Sequence, residues 1–467
     1  MPETRSVYLM GIGGIAMANV AVLLRSAGYD VTGSDQGIYE PAASLLRRAG
    51  IAAKTPYSEN NLPLDDNTVV IVGNVHSRGH IEVEEALRRN LRLESFPGFL
   101  RRSVMANKRR VVIAGTHGKS TTSACAAHLL ITLNRNPGYL IGADPVNMEF
   151  GGHHGSGSEF VIEGDEYDSA FFDKRSKFLD YFPHVLILGR VEHDHLDIFP
   201  TLEEMLISFR RLVAQLPANG TLVVAADSPL ALELASKSPC PVVKVSDKSD
   251  SDYFIDEKTL RGPDGTSYPD FAPGVIGAHN RLNVAMAIAG IESLDIPVAD
   301  VVHAASSFRG IKRRLELLFS SNELIVYDDF AHHPTAIAAA VDAVRAEHPD
   351  REVVAVFEPR SNTAVRNKYQ DEFREALAHS HVAIIGTVHR KDKIPKPDVV
   401  DTDRMVGELR TQGVQAYALE NCDIPEYLLN GLPKSDRRVI LFMSNGSFGG
   451  AAAEFLGKLS HKNTITA

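Results

Sequence analysis

The stretch Val111-Val112-Ile113-Ala114-Gly115-Thr116-His117-Gly118-Lys119-Ser120-Thr121 decides the fold class. Val111 to Ala114 is a short apolar run that reads as a buried strand, and the Ala-rich run after Thr121 reads as a helix. A strand, a glycine-bounded turn and a helix in direct succession aim backbone N–H groups and the positive end of the helix at one point, which is a cradle for phosphates. There Lys119 is placed to reach β- and γ-phosphates, and the Ser120 hydroxyl to ligate magnesium. The stretch departs from G-x-x-x-x-G-K-[ST] because Ile113 stands at the first glycine position. Without a ligand it would be a plain glycine turn opening a helix, which leaves a lysine and two hydroxyls without a purpose.

On either side the chain repeats the alternation of short apolar runs and amphipathic stretches that parallel βαβ units produce. Ahead of the loop, Val7 to Met10, Asp30 to Gly33 and Thr68 to Val72 read as strands and Ala16 to Ser26 as a helix. After it, Phe160 to Glu163, Val185 to Leu188 and Thr221 to Ala225 read as strands, with a helix from about Asn280 to Leu294. Lys244 to Gly277, rich in Asp, Ser, Gly and Pro, predicts a loop-rich excursion or a small accessory sheet. A third set of strands follows at Leu324 to Tyr327, Val353 to Phe357, Val382 to Ile385 and Val439 to Phe442. The expectation is an α/β chain of three tandem domains: a Rossmann-like domain over 1–107, a P-loop ATPase domain over 108–310 and a second Rossmann-like domain over 311–467. About three domains is also what 467 residues imply at roughly 150 residues each.

Two acidic clusters follow strands of the middle set: Glu163-Gly164-Asp165-Glu166-Tyr167-Asp168 and His193-Asp194-His195-Leu196-Asp197. In an open parallel sheet ligands gather outside the carboxyl ends of the strands, so both clusters are expected to face the phosphate loop. Magnesium prefers oxygen ligands, and a zinc site built on His193 and His195 is the competing reading. Near the N-terminus Gly11-Ile12-Gly13-Gly14 follows a strand, and Asp35 lies about 20 residues further on, the spacing at which an acidic residue meets a ribose hydroxyl. The last glycine of G-x-G-x-x-G is replaced, so a generic nucleotide site and a purely structural turn both stay open. A nicotinamide-dependent oxidoreductase built on this loop is the reading from another enzyme class, and the phosphate loop with its acidic clusters weighs against it.

A net charge of -10 with 23% charged residues excludes a general nucleic-acid or anionic-membrane binder, since either needs a basic footprint. Cys125, Cys240 and Cys422 are too few and too scattered for a disulfide framework or a zinc cluster, which points to the reducing cytoplasm. Val7 to Leu24 is uncharged and long enough to span a bilayer. Three glycines and Asn19 interrupt it, and Glu3 offsets Arg5 upstream, so a buried strand, turn and helix is the expectation.

Taken in order, the phosphate loop, the Glu163 cluster, Asp194-His195 and Gly277-Ala278-His279-Asn280-Arg281-Leu282-Asn283 resemble the Mur ligases, three-domain enzymes of peptidoglycan assembly, over essentially the whole chain. The resemblance implies a cytoplasmic, ATP- and magnesium-dependent ligase that activates the lactyl carboxylate of UDP-N-acetylmuramate as an acyl phosphate and joins an amine to it. It implies that Gly11, Gly13, Gly14 and Asp35 serve the UDP-sugar, and that Gly115, Thr116, His117, Gly118, Lys119, Ser120 and Thr121 serve ATP. Ser120, Glu163 and His195 would hold magnesium, with Lys119, Glu163 and His195 the catalytic set. Asn280 and Asn283 would face the nucleotide, Arg314 and Asp329 would reach it from the third domain, and Arg360 would pair with a substrate carboxylate unless it is a solvated charge, as would Lys174. Within the family, Asp165-Glu166-Tyr167-Asp168, Phe171-Phe172-Asp173-Lys174-Arg175-Ser176-Lys177-Phe178, Phe357-Glu358-Pro359-Arg360-Ser361-Asn362-Thr363 and Met443-Ser444-Asn445-Gly446 resemble the branch whose amine is L-alanyl-γ-D-glutamyl-meso-diaminopimelate, which serves peptidoglycan recycling. The branch that adds L-alanine in de novo synthesis is the second reading. Ser120 where threonine is usual, the Gly11 loop and Gly189-Arg190 before Glu192 depart from the tripeptide pattern. The absence of lysine between Lys177 and Lys237 resembles branches without a carbamylated lysine.

Overall fold

The computed structural model describes residues 6–65, 67–193, 198–248, 250–256, 259–269, 271, 273–433 and 435–465. They form two compact units, one holding two large sheets and the small antiparallel pair Asp168–Ala170 and Asp173–Ser176, the other, mainly from Lys312 onward, a third large sheet. The first sheet is wholly parallel, with strands in the spatial order Ala52–Lys54, Asp30–Ser34, Ser6–Met10, Val69–Val72, Leu93–Glu94. The order reverses at Ser6–Met10, so the glycine turn after that strand opens at a switch point, where a doubly wound sheet leaves a crevice.

The second sheet runs Ser267–Tyr268, Thr259–Arg261, Tyr253–Asp256, Val242–Ser246, Thr221–Ala225, Val185–Leu188, Arg109–Ala114, Glu159–Glu163, Gly138–Leu140, Gly152–His153. Strands at its centre, Val111–Ala114, Phe160–Ile162 and Val185–Leu188, are apolar and at most 2% exposed, the pattern of a sheet covered on both faces. Here one expectation is corrected. The segment Lys244 to Gly277 forms neither a free loop nor a separate sheet: its short strands extend the edge of this sheet, first parallel, then antiparallel. The sequence shows them only as short strand-like pieces, two to four residues long, which say nothing of the neighbour they pair with. The third sheet, Glu316–Ser320, Leu324–Asp329, Arg438–Met443, Glu352–Phe357, Val382–Ile385, Gln415–Ala418, is parallel except for its first strand.

The uncharged run near the N-terminus becomes a strand, a turn and the helix Ile15–Ser26. That helix is buried from Met17 through Leu24, because a helix apolar all round must be covered all round. One side packs on the first sheet and the other meets the edge strands Gly138–Leu140 and Gly152–His153 of the second. No helix among the described residues is long and apolar enough to cross a membrane. Asn19, fully buried at this join, donates from Nδ2 to the carbonyls of Ile141 at 3.0 Å and Ala143 at 3.1 Å, and its Oδ1 accepts from Gly151 N–H at 3.1 Å. Gly152 allows the approach, since a Cβ there would stand 2.2 Å from the Asn19 carbonyl oxygen.

Asn19→Ala strips two carbonyls and an N–H of their partner in a dry interface, at an expected cost of about 2–4 kcal/mol. Urea unfolding of the two proteins measures this, and a loss below about 1 kcal/mol would mean that solvent takes over the bonds.

Candidate active site

Three neighbouring parallel strands, Glu159–Glu163, Arg109–Ala114 and Val185–Leu188, end on one edge of the second sheet, with Ile113 paired to Glu163 and Ala114 to Leu188. Register alone therefore brings the phosphate loop, the Glu163 cluster and Gly189 to Glu192 together. Gly115 (φ +127°) and Gly118 (φ +78°) give the loop its path, and Thr116 N–H bonds Arg190 O at 2.7 Å. The Thr116 hydroxyl both donates to Glu192 O and accepts from Glu192 N–H at 2.9 Å, while the His117 ring Nε2 lies 3.1 Å from the Glu192 carboxylate. The helix Lys119–Thr132 starts directly after Gly118.

Lys119 Nζ donates to Gly115 O at 2.8 Å and pairs with Glu166 at 2.8 Å. Burial works to lower its pKa, but Glu166, Asp165 and Glu163 outweigh it and hold the lysine above its ordinary value. Glu163 accepts the Ser120 hydroxyl on Oε1 and Gly142 N–H on Oε2, both at 2.9 Å. Burial raises the Glu163 pKa against the pull of Lys119 and these two donors. A hydroxyl and a carboxylate side by side offer the oxygen ligands that a hard divalent cation takes. Asp165 is held by Lys177 Nζ at 2.5 Å.

Asn280 and Asn283, one turn apart on the helix Ala278–Glu292, are linked by a 3.4 Å bond. Asn283 Oδ1 lies so close to the loop that a Cβ on Gly118 would stand 2.3 Å from it. His195, with Asp194 and Asp197, lies outside the described residues. The His193 ring Nε2 donates to Phe199 O at 2.9 Å, which takes that nitrogen out of the zinc pairing. Thr121 is buried in the first turn of the helix.

In the first sheet the glycine loop is tied down by backbone and by Asp35. Gly11 N–H and Ile12 N–H bond Ser34 O, and the Asp35 carboxylate accepts from Gly13 N–H at 2.8 Å and Gln36 N–H at 2.7 Å. Gly14 precedes the helix Ile15–Ser26. In the second compact unit, Asp329 accepts from Leu315 N–H and Ala331 N–H, each at 2.7 Å. Burial raises its pKa, with Arg314 the largest opposing influence. Arg314 lies over the Phe330 ring at 5.3 Å. Arg360 is elsewhere in that unit, 3.7 Å from the buried Glu358 carboxylate and against Gly446. Lys174 is an exposed surface residue paired with Asp168 at 2.5 Å.

Four features escaped the sequence reading. Glu166 was quoted as part of an acidic cluster, but nothing in the spacing says that it receives Lys119. Gly142 N–H, the second anchor of Glu163, comes from a turn with no motif. The Arg190 guanidinium turns to Asp227, with Nε donating at 2.7 Å, and its carbonyl accepts from Thr116 N–H of the loop. Beside Arg360, the segment His389-Arg390-Lys391-Asp392-Lys393 adds cations close enough that Arg360, Arg390 and Lys393 join burial in lowering the His389 pKa. Its charge run was the signal available.

Three family profiles match in order: Mur ligase family, catalytic domain, over residues 6–108; Mur ligase middle domain over 113–291; and Mur ligase, glutamate ligase domain, over 313–446. The UDP-N-acetylmuramate--L-alanyl-gamma-D-glutamyl-meso-2,6-diaminoheptandioate ligase of Escherichia coli K12 is 34% identical over 473 residues, covering 98% of each chain. A UDP-N-acetylmuramate--L-alanine ligase of Rubrobacter xylanophilus is 30% identical over 97% of this chain and 100% of its own. The crystal structure of a murein peptide ligase from Psychrobacter arcticus superposes with a TM-score of 0.71 at 31% identity, covering 97% of this chain and 98% of that one.

Gly118→Ala puts a side chain on a left-handed residue and against Asn283, so the loop must shift. The left-handed backbone is expected to cost the fold about 1–2 kcal/mol, and the displaced loop to bind ATP at least about tenfold more weakly, about 1.4 kcal/mol. Calorimetric titration with a non-hydrolysable ATP analogue checks this, and unchanged affinity would show that the loop tolerates the shift.

Proposed function

The chain belongs to the Mur ligase family, and from that premise we propose that it joins L-alanyl-γ-D-glutamyl-meso-diaminopimelate to UDP-N-acetylmuramate at the expense of ATP, in peptidoglycan recycling. The observation that carries the chemistry is the cluster at one sheet edge in which Lys119 meets Glu166 at 2.8 Å and Ser120 meets Glu163 at 2.9 Å. The likeness of the whole chain to the E. coli tripeptide ligase supports the choice of amine.

The overall reaction forms an amide from the lactyl carboxylate through its acyl phosphate. In it Lys119 exchanges its pairing with Glu166 for phosphate oxygens and offsets the charge of the transferring group, work that is mainly positioning and electrostatics. Ser120 and Glu163, with His195 in the same role, would hold magnesium, which supplies further neutralisation of phosphate charge when bound. Gly115 to Thr121 bind the phosphates through backbone N–H groups, and Asn280 and Asn283 steady the loop and the nucleotide. Gly11, Gly13, Gly14 and Asp35 receive the UDP moiety. By the family likeness Arg314 and Asp329 also serve the nucleotide. Arg360 receives a carboxylate of the amine substrate, because an arginine fork binds carboxylates bidentately. The tripeptide carries several carboxylates and L-alanine only one, so a cationic segment at His389–Lys393 beside Arg360 favours the larger amine.

With ATP, magnesium and UDP-N-acetylmuramate, purified protein is expected to release phosphate when given the tripeptide and not when given L-alanine. Release with L-alanine alone would make it the de novo enzyme instead. Lys119→Ala is expected to cut turnover by about 100-fold or more while UDP-N-acetylmuramate binding, followed by calorimetry, stays intact. Loss of both together would refute the separation of the two sites.

A further inference from the structure

At the opposite end of the strand that carries the phosphate loop lies a cavity of about 480 Å³, lined by Arg101, Arg102, Ala106, Arg110 and Phe182. Arg101 and Arg102 close the helix Phe96–Arg102, Arg110 opens the strand Arg109–Ala114, and Phe182 follows the short turn Lys177–Asp180. The cavity thus sits where the first and second sheets of one compact unit meet, with the length of a strand between it and Gly115.

Of its three arginines Arg102 is ion-paired with Glu94, while Arg101 and Arg110 make no ion pair among the described residues. Arg110 is fixed by carbonyls, donating from Nε to Phe182 O at 2.9 Å and from Nη1 to Met105 O at 3.2 Å. Burial and the nearness of Arg101 lower its pKa, so the arginines feel one another. Arg101 lies 3.8 Å over the Phe182 ring, and that phenylalanine is 36% exposed with φ at +46°, a costly backbone for an aromatic residue. Arg102 pairs with Glu94, which Arg92 also holds at 2.7 Å. Asp180 lies 3.7 Å from Arg175 and feels Arg101 and Arg102 more weakly, and burial outweighs all three and raises its pKa. A concave cluster of guanidiniums on a chain of net charge -10 is relieved by an anion.

We propose that this cavity binds an oligophosphate, inorganic or carried by a nucleotide, with Arg101 and Arg102 as its principal ligands and Arg110 as its floor. Guanidinium forks match phosphate oxygens, and the volume exceeds what a single phosphate fills. Bound there, the anion ties the end of one sheet's helix to the first residues of the next sheet's strand, away from the site of reaction.

The test titrates tripolyphosphate into full-length Lys119→Ala protein at low salt, which removes the lysine of the phosphate loop. Binding is expected to persist there and to weaken at least about tenfold on adding Arg101→Gln and Arg102→Gln, the order expected for losing charge-assisted bonds. The exposed Arg101→Gln change alone gives a smaller loss in the same direction without risk to the fold. Asp180→Asn is expected to tighten binding about two- to fivefold. Displacement by ATP assigns a nucleotide source, and its failure assigns inorganic oligophosphate. No heat of binding in Lys119→Ala protein that circular dichroism shows to be folded, or an affinity indifferent to both arginines in either the unmutated or the Lys119→Ala background, overturns the proposal.

Discussion

A buried ammonium group tolerates no vacancy around it. Lys119 sits largely out of solvent at the start of a helix, where burial pulls its pKa down and Glu166, Asp165 and Glu163 together pull it up by more. Those carboxylates arrive from a different strand, so the lysine can exist in this form only if Glu159–Glu163 lies next to Arg109–Ala114 in parallel register. Breaking such a pair by removing one partner is far costlier than its net contribution to stability. The same charges that hold the lysine are what a metal and a phosphate would redistribute. Strand order, loop geometry and the electrostatics of the site are therefore one constraint.

That constraint explains which parts were legible in the sequence. The strands were readable because each is a short unbroken apolar run, and Val185–Leu188, Thr221–Ala225 and Val382–Ile385 fall where the pattern places them. The phosphate loop and the clusters at Glu163 and Asp35 were readable because they follow such runs at positions where a parallel sheet gathers ligands. Pairings across the fold were not readable. Nothing local in Glu166 marks it as the partner of Lys119, and nothing in Gly142 marks its N–H as an anchor of Glu163, because both relations depend on strand order. Between Lys244 and Gly277 short strand-like pieces were legible, but not that they extend the second sheet, because a strand of two to four residues at a sheet margin is stabilised by its neighbour and carries little pattern of its own.

Departures from the family pattern are absorbed without disturbing the site. Arg190 stands where another residue is usual, yet the contact that matters to the loop is made by its carbonyl, which any residue supplies. Its side chain is parked on Asp227. Ser120 in place of threonine keeps the hydroxyl that meets Glu163.

The three bonds of Asn19 bear on how such a protein can be recombined. They run from a helix of the first sheet to the loop between Ile141 and Gly151 of the second, and Gly152 must lack a side chain to let the helix in. A chimera that exchanges the first hundred residues for those of a relative inherits one half of this lock and not the other. An interchangeable module must therefore include at least residues 138–153 with the N-terminal sheet, and a crossover placed at the apparent linker would cut through a shared interior.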